Sequence, residues 1–274
     1  MIEILNRCES LEAEYKNEAQ RDNILCDGNN INTPHCYECL SSGFYTNTKD
    51  TYDCPIKLSL YTINYGPIYV SEIYHFLKKS QLLENNFLDI TRPIEIMSLG
   101  CGFGPDDIAL TKYSNDEQLD IDFNYVGYDI ESWWNTITNT NALPIIYDVL
   151  NGFDCNNVDI LFINKLFSTL KNHNLDGQFL TELQVALQSL PNGAFVIFND
   201  INYWEMGRDD FNQFAIANSL EVIGKYYFNI EGAYSANYTE IPYIDNICEI
   251  PHNFTHSPKL TVNKSIFFLY QKVV

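Results

Sequence analysis

Apolar and polar positions along this chain fall into blocks whose period changes several times. Residues 94–99 (IEIMSL) are mostly apolar, the mark of a short buried strand, and glycines follow at alternate positions. β-rich runs recur at 123–129, 143–147, 158–163 and 194–198, separated by stretches that fit helices or loops. Helical spacing dominates elsewhere. Residues 1–22 set Leu5, Leu11 and Ala13 among Glu3, Glu9, Glu12, Glu14 and Glu18, which predicts an amphipathic helix with a solvated acidic face. Residues 58–79 read as one long helix, interrupted or bent near Gly66-Pro67, with Tyr61, Tyr65 and Tyr69 on one face and Glu72 a turn further on. More helices are expected over 176–190 and from Phe211, and the runs 220–228 and 266–273 read as an antiparallel pair at a sheet edge. The alternation predicts an α/β fold with a mostly parallel sheet over 91–274, preceded by a helical extension over 1–90.

The glycine turn narrows the chemistry. Gly100, Gly102 and Gly104 permit positive φ and let backbone approach a ligand, and Pro105 suits the first position of a helix. A dinucleotide fingerprint, GxGxxG, needs a glycine where Pro105 stands. A pyrophosphate at this helix end would also meet Asp106 and Asp107, although the helix terminus itself attracts anions. A cationic, phosphate-free cofactor avoids that conflict. S-adenosylmethionine is such a molecule. Its ribose needs an acid at the end of the next strand, and the run 123–129 ends in Asp129 at about the interval of a helix plus a strand.

With Asp129 in place, the pattern resembles the Rossmann-like class I methyltransferases that use S-adenosylmethionine, over about residues 92–274. One departure is Ser98, where many members carry an acid two residues before the first glycine. The resemblance implies cofactor contacts from Tyr69, Gly100, Cys101, Gly102, Gly104, Asp129, Ile130 and Asp148, with Trp133 and Trp134 near the adenine. It also implies that residues just after the fourth strand face the transferred methyl, which makes Asn164 the candidate substrate contact; a helix cap is the plainer role for that side chain. Asp200 and Glu205 are candidate bases for an acceptor that needs deprotonation. Four short pieces are similar to fungal ribosomal-RNA uridine-N3 methyltransferases: residues 61–72, Ser98-Leu99-Gly100, Asp129-Ile130 with Trp133, and residues 164–168.

Composition bounds these readings. The chain has 274 residues, 46% of them hydrophobic, enough for a sizeable core. It shows no basic-then-apolar leader and no apolar run of membrane-spanning length, so a cytoplasmic location is expected. Thirty-six acids against 16 bases give a net charge of -20, which repels phosphate backbones, and no Lys/Arg cluster opposes it. A small-molecule or protein acceptor is therefore expected ahead of RNA. Residues 23–57 differ in character. They are polar and hold Cys26, Cys36, Cys39 and Cys54, a spacing that can surround one tetrahedral zinc; ordinary buried thiols and a Cys36/Cys39 redox pair are the other readings. Residues 229–264 contain three prolines, His252 and His256 and read as a substrate loop or a lid. Two function classes stand: a methyltransferase working by direct in-line displacement, and a catalytically silent Rossmann-like scaffold acting through its acidic surface and cysteine segment.

Overall fold

The computed structural model describes residues 1–17, 55–140, 143–202, 207–228, 237–255, 257–261 and 264–274, without the side chains of 12–17. Cys26, Cys36, Cys39, Cys54, Trp204, Glu205 and His256 lie outside the described residues, so the zinc reading and the second candidate base do too.

Eight strands form one sheet: β1 (Ile94–Leu99), β2 (Phe123–Asp129), β3 (Ile145–Ile146), β4 (Ile160–Asn164), β5 (Phe195–Ile201), β6 (Leu220–Phe228), β7 (Thr239–Ile241) and β8 (Ser265–Lys272). Their order is β3-β2-β1-β4-β5-β8-β6-β7. β1 to β5 pair in parallel, and β8 runs antiparallel between β5 and β6. This is the Rossmann-like arrangement that the sequence predicts. The antiparallel pair does not itself form the margin, because β7 adds a short parallel strand outside β6.

Period-two alternation explains how the sheet is buried on both faces. Ile94, Ile96, Ile160, Phe162, Phe195, Ile197, Phe267 and Leu269 join one core, whereas Leu99, Leu161, Ile163, Val196, Phe198, Ile266, Phe268 and Tyr270 join the other. Helices cover each face. On the first lie α1 (Ile2–Asn17), α2 (Pro55–Ser80), α3 (Leu82–Asn86), α4 (Pro105–Asp116) and α5 (Trp133–Thr138). On the second lie α6 (Phe167–Asn172), α7 (Asp176–Ser189) and α8 (Arg208–Ala217).

α2 matters most for the site. It runs through Gly66-Pro67 as one unbroken helix, with Ile63, Ile68 and Val70 fully buried around the proline. Tertiary packing here overrides the local cost of proline. Phe76 stacks on Phe267 of β8 with centroids 4.5 Å apart, which seats the helix on the sheet. The described part of the segment read as a substrate loop or a lid packs on the core. Tyr243, Ile247, Cys248, Ile250 and Phe254 pack against the first core, the Ile247 N–H donates to Ser71 Oγ at 3.1 Å, and His75 Nε2 lies 2.9 Å from the Asp245 carbonyl. Its described part therefore lies along α2 and contributes nothing to the wall of the cleft. His252 is exposed, and no group of three or more metal-ligating side chains exists among the described residues. No helix among them is long and apolar enough to cross a membrane.

Candidate active site

A cleft of about 520 Å³ opens at the C-terminal ends of β1, β2, β4 and β5, the edge where open α/β sheets hold ligands. Its middle is the turn from β1 into α4. Gly100, Gly102 and Gly104 have φ of 65°, 56° and 77°, left-handed values that side chains other than glycine adopt at a cost. A Cβ on Gly102 would come 3.4 Å from the Trp134 ring, and one on Gly104 would come 2.7 Å from Leu143. The turn is therefore glycine for torsion at all three positions and for space as well at Gly104, while Gly102 leaves ordinary contact distance to Trp134. Pro105 follows as the first residue of α4.

Asp129 closes the turn from β2. Its Oδ2 accepts the Gly102 N–H at 2.9 Å and its Oδ1 accepts the Glu131 N–H at 2.9 Å. Burial pushes this carboxyl up to about 6, against the two backbone N–H donors, which favour the charged form. The Trp134 side chain also donates to this carboxyl, and of about four lone pairs at least one stays available to a ligand hydroxyl. Ile130 is 68% exposed beside it, and Trp134 lines the wall and packs over Gly102. Trp133 faces the core instead of the cleft. Asp148 lines the same end and caps a 3-10 turn at Val149–Asn151 by accepting the Leu150 N–H at 2.9 Å. The reading of 143–147 as a strand shrinks to Ile145–Ile146, which pair with Tyr128 and Asp129 of β2.

The other end of the cleft comes from β4, β5 and α2. Asn164 ends β4, is 7% exposed, and neither of its side-chain polar atoms has a partner. It therefore caps no helix. Asn199, on β5, is 1% exposed and its Oδ1 is also unpartnered. Buried amides are nearly always hydrogen-bonded, so these two are exceptions, and their unpartnered atoms are closed off beneath the cleft floor. Tyr61 and Tyr69 of α2 form part of the wall, with their hydroxyls 3.3 Å apart. Tyr65 stacks behind Tyr69, with centroids 5.9 Å apart, and is not part of the lining. Cys101 lines the turn but is buried and directed at Gly127, and burial strongly disfavours its thiolate.

Two acids lie elsewhere than the sequence suggests. Asp200 does not reach the cleft: its carboxylate accepts the Ser168 N–H at 2.9 Å and the Ile201 N–H at 2.7 Å, in the second core. It is an N-terminal acceptor for α6, and burial raises its carboxyl. Asp106 is fully buried behind the turn, where Tyr125 donates to its Oδ1 at 2.8 Å. Its charge is thus hidden from the cleft. Sequence reading sets Glu72 a turn beyond the tyrosines but does not show its partner: it lies fully buried, 3.3 Å from Lys165 across the fold.

No family model matches this chain, and no curated protein matches it. Similar solved structures include an S-adenosylmethionine-dependent methyltransferase from Clostridium acetobutylicum ATCC 824, at 11% identity over 88% of this chain and all (100%) of that one, with a TM-score of 0.45. A TehB-like SAM-dependent methyltransferase from Corynebacterium glutamicum ATCC 13032 is 12% identical over 74% of this chain and 98% of that one, with a TM-score of 0.41. The [4+2]-cyclase SpnF is 10% identical over 55% of this chain and 58% of that one, with a TM-score of 0.40. Likeness of this degree assigns no reaction to this chain.

Proposed function

We propose that the cleft binds S-adenosylmethionine and that the protein transfers its methyl group directly to an acceptor. One observation carries this reading: the left-handed glycine turn donates Gly102 N–H to Asp129 at 2.9 Å beside an open cavity of about 520 Å³. The residues present fit the cofactor. Asp129 would hold the ribose hydroxyls, the Gly100–Gly104 backbone would lie against the nucleoside, and Ile130, Trp134 and Asp148 would border the base. When bound, the cofactor supplies an electrophilic methyl on a sulfonium.

The chain's own contribution is positional. Holding acceptor and donor in line supplies much of the acceleration that such a displacement needs, and no covalent intermediate is required. Tyr61, Tyr69 and Trp134 exclude water from one wall, and Asn164, which lines the cleft at the end of β4, borders the reacting end. Asp200 is occupied elsewhere and is not proposed as a base.

The acceptor is proposed to be a small molecule or a protein, because a net charge of -20 opposes an RNA backbone. Calorimetric titration of S-adenosylmethionine into the wild-type chain and Asp129→Ala tests the reading. Binding to the first and its loss in the second is the expected result. No binding to the wild type would overturn it and favour a silent scaffold.

A further inference from the structure

A second arrangement lies outside the cleft, beyond β5 on the side of β8 and β6. β6 carries one extra residue: Val222 pairs with Tyr270 but Gly224 pairs with Leu269, so Ile223 bulges between them. Without the bulge Lys225 would oppose Phe267 and face the first core; with it, Lys225 opposes Phe268 and turns to the second face. Bulges re-aim side chains and are frequent beside active sites. The side chain re-aimed here is a cation, on a face where Val222 and Tyr227 pack against the core. Its Nζ lies 4.9 Å from the centre of the Phe268 ring and 5.7 Å from that of Tyr238. Among the described residues it meets no carboxylate at ion-pair distance, in a chain with 36 acids and 16 bases. Arg208, the first residue of α8, stands beside it. Its Nη1 donates to Oδ1 of Asn202, the residue after β5, and its charge acts on both Lys225 and the Tyr238 hydroxyl. Asp209 is the acid whose charge reaches Lys225; it lies 3.4 Å from Arg208 Nε and is 53% exposed, while Asp210 is engaged by Lys171. Two cations thus share one solvated carboxylate. Burial pulls the Lys225 ammonium below its ordinary value, Asp209 opposes that shift and Arg208 adds to it. The corner is open to ligands: the Arg208 side chain is 21% exposed, and Lys225 and Tyr238 are half-buried.

We propose that Lys225, Arg208 and the Tyr238 hydroxyl form a binding site for an oxyanion, the carboxylate or phosphate of a small molecule. Donors gather there without acceptors. A guanidinium, an ammonium and a phenol offer several N–H and O–H groups, and among the described residues hydrogen bonding engages this set once, at Asn202. The Phe268 and Tyr238 rings hold the lysine by cation–π attraction, which fixes its position and leaves its charge in place. Like charges in a partly dehydrated corner disfavour one another, and an oxyanion that accepts from both relieves that cost with charge-assisted hydrogen bonds. The net charge of -20 repels anions at a distance, so capture depends on these short-range donors. None of these residues lines the cleft, and the inference needs neither a nucleoside nor methyl transfer.

The test uses the full chain, with inorganic phosphate and succinate as separate probes, each titrated calorimetrically and by thermal shift at an ionic strength held constant with chloride. Lys225→Met and Arg208→Gln each remove a charge from the corner, and Lys225→Arg keeps it. Lys78→Met removes a charge from the exposed pair with Glu117 and serves as the control. The expected result is saturable binding of at least one probe to the wild type. Affinity falls about tenfold or more in Lys225→Met and Arg208→Gln, the scale of one charge-assisted hydrogen bond, and stays within about threefold in Lys225→Arg and Lys78→Met. Saturation by phosphate alone assigns the site to a phosphate group, by succinate alone to a carboxylate, and by both to oxyanions of either kind. If Arg208→Gln fails to fold for want of its contact with Asn202, the two Lys225 variants decide, because that ammonium rests on ring faces and holds no hydrogen bond of the fold. Absence of saturation by either probe in the wild type, or equal affinity in the wild type and Lys225→Met, would overturn the proposal.

Discussion

Asp129 gives the sharpest forecast, because its environment sets both a sign and a size. Burial raises its carboxyl from the ordinary 3.8 to about 6, so the group changes charge between pH 5 and 7. A carboxyl at that value is about one-tenth ionised at pH 5 and about nine-tenths ionised at pH 7. The ionised form is the better acceptor for ribose hydroxyls and the better partner for a cationic ligand. If only that form binds, the apparent affinity for S-adenosylhomocysteine falls about tenfold between pH 7 and pH 5. Calorimetry at several pH values, in buffers of different ionisation enthalpy, measures both the fall and the proton released on binding. Asp129→Asn should bind more weakly at pH 7 and show no such slope. Asp106, also near 6, sits behind the turn, so Asp106→Asn should keep the slope. A flat wild-type profile, or an unchanged slope in Asp129→Asn, refutes the argument.

Asp106 bears on stability instead. Its folded-state carboxyl lies above the unfolded value, so the stability it contributes is present at low pH and lost as pH rises through about 6; the melting temperature of Asp106→Asn relative to wild type should increase from pH 5 to pH 8. Asp200→Ala leaves the Ser168 and Ile201 N–H groups without their acceptor and should cost about 1–3 kcal/mol in denaturant unfolding, with cofactor affinity unchanged within about twofold. A tenfold loss of affinity would return Asp200 to the site. Metal analysis of chain purified without added zinc should find about one equivalent if Cys26, Cys36, Cys39 and Cys54 form a tetrathiolate site, and none if they are ordinary thiols.

What the sequence disclosed was local. The turn at 100–104 announces itself through glycine spacing, and Asp129 follows from the length of one helix and one strand. Burial on both sheet faces can be read from the nearly unbroken apolar runs at 94–99 and 195–198. Asp200 shows the limit of this reasoning. It and Asn199 end the same strand, but a period of two turns Asn199 to the cleft and Asp200 to α6 on the opposite face. β7 has three residues, too few for a pattern to emerge within the loop around it. The Glu72–Ser265 contact joins residues 193 apart and the Lys165–Ser265 contact residues 100 apart, so no window of sequence contains them. Lys165 also has φ of 54°, and a left-handed lysine carries no compositional mark at all.

The long helix α2 bears several duties on separate faces: Tyr61 and Tyr69 on the cleft, Glu72 beneath Lys165, Phe76 on the sheet, Ser71 and His75 on the stretch at Asp245 and Ile247 between β7 and β8. A wall built this way cannot be exchanged wholesale, as a surface loop can, without unseating the core. Diversification of what the protein accepts would therefore proceed by point changes at 61 and 69, one exposed register at a time, while the remaining turns stay under purifying constraint from packing.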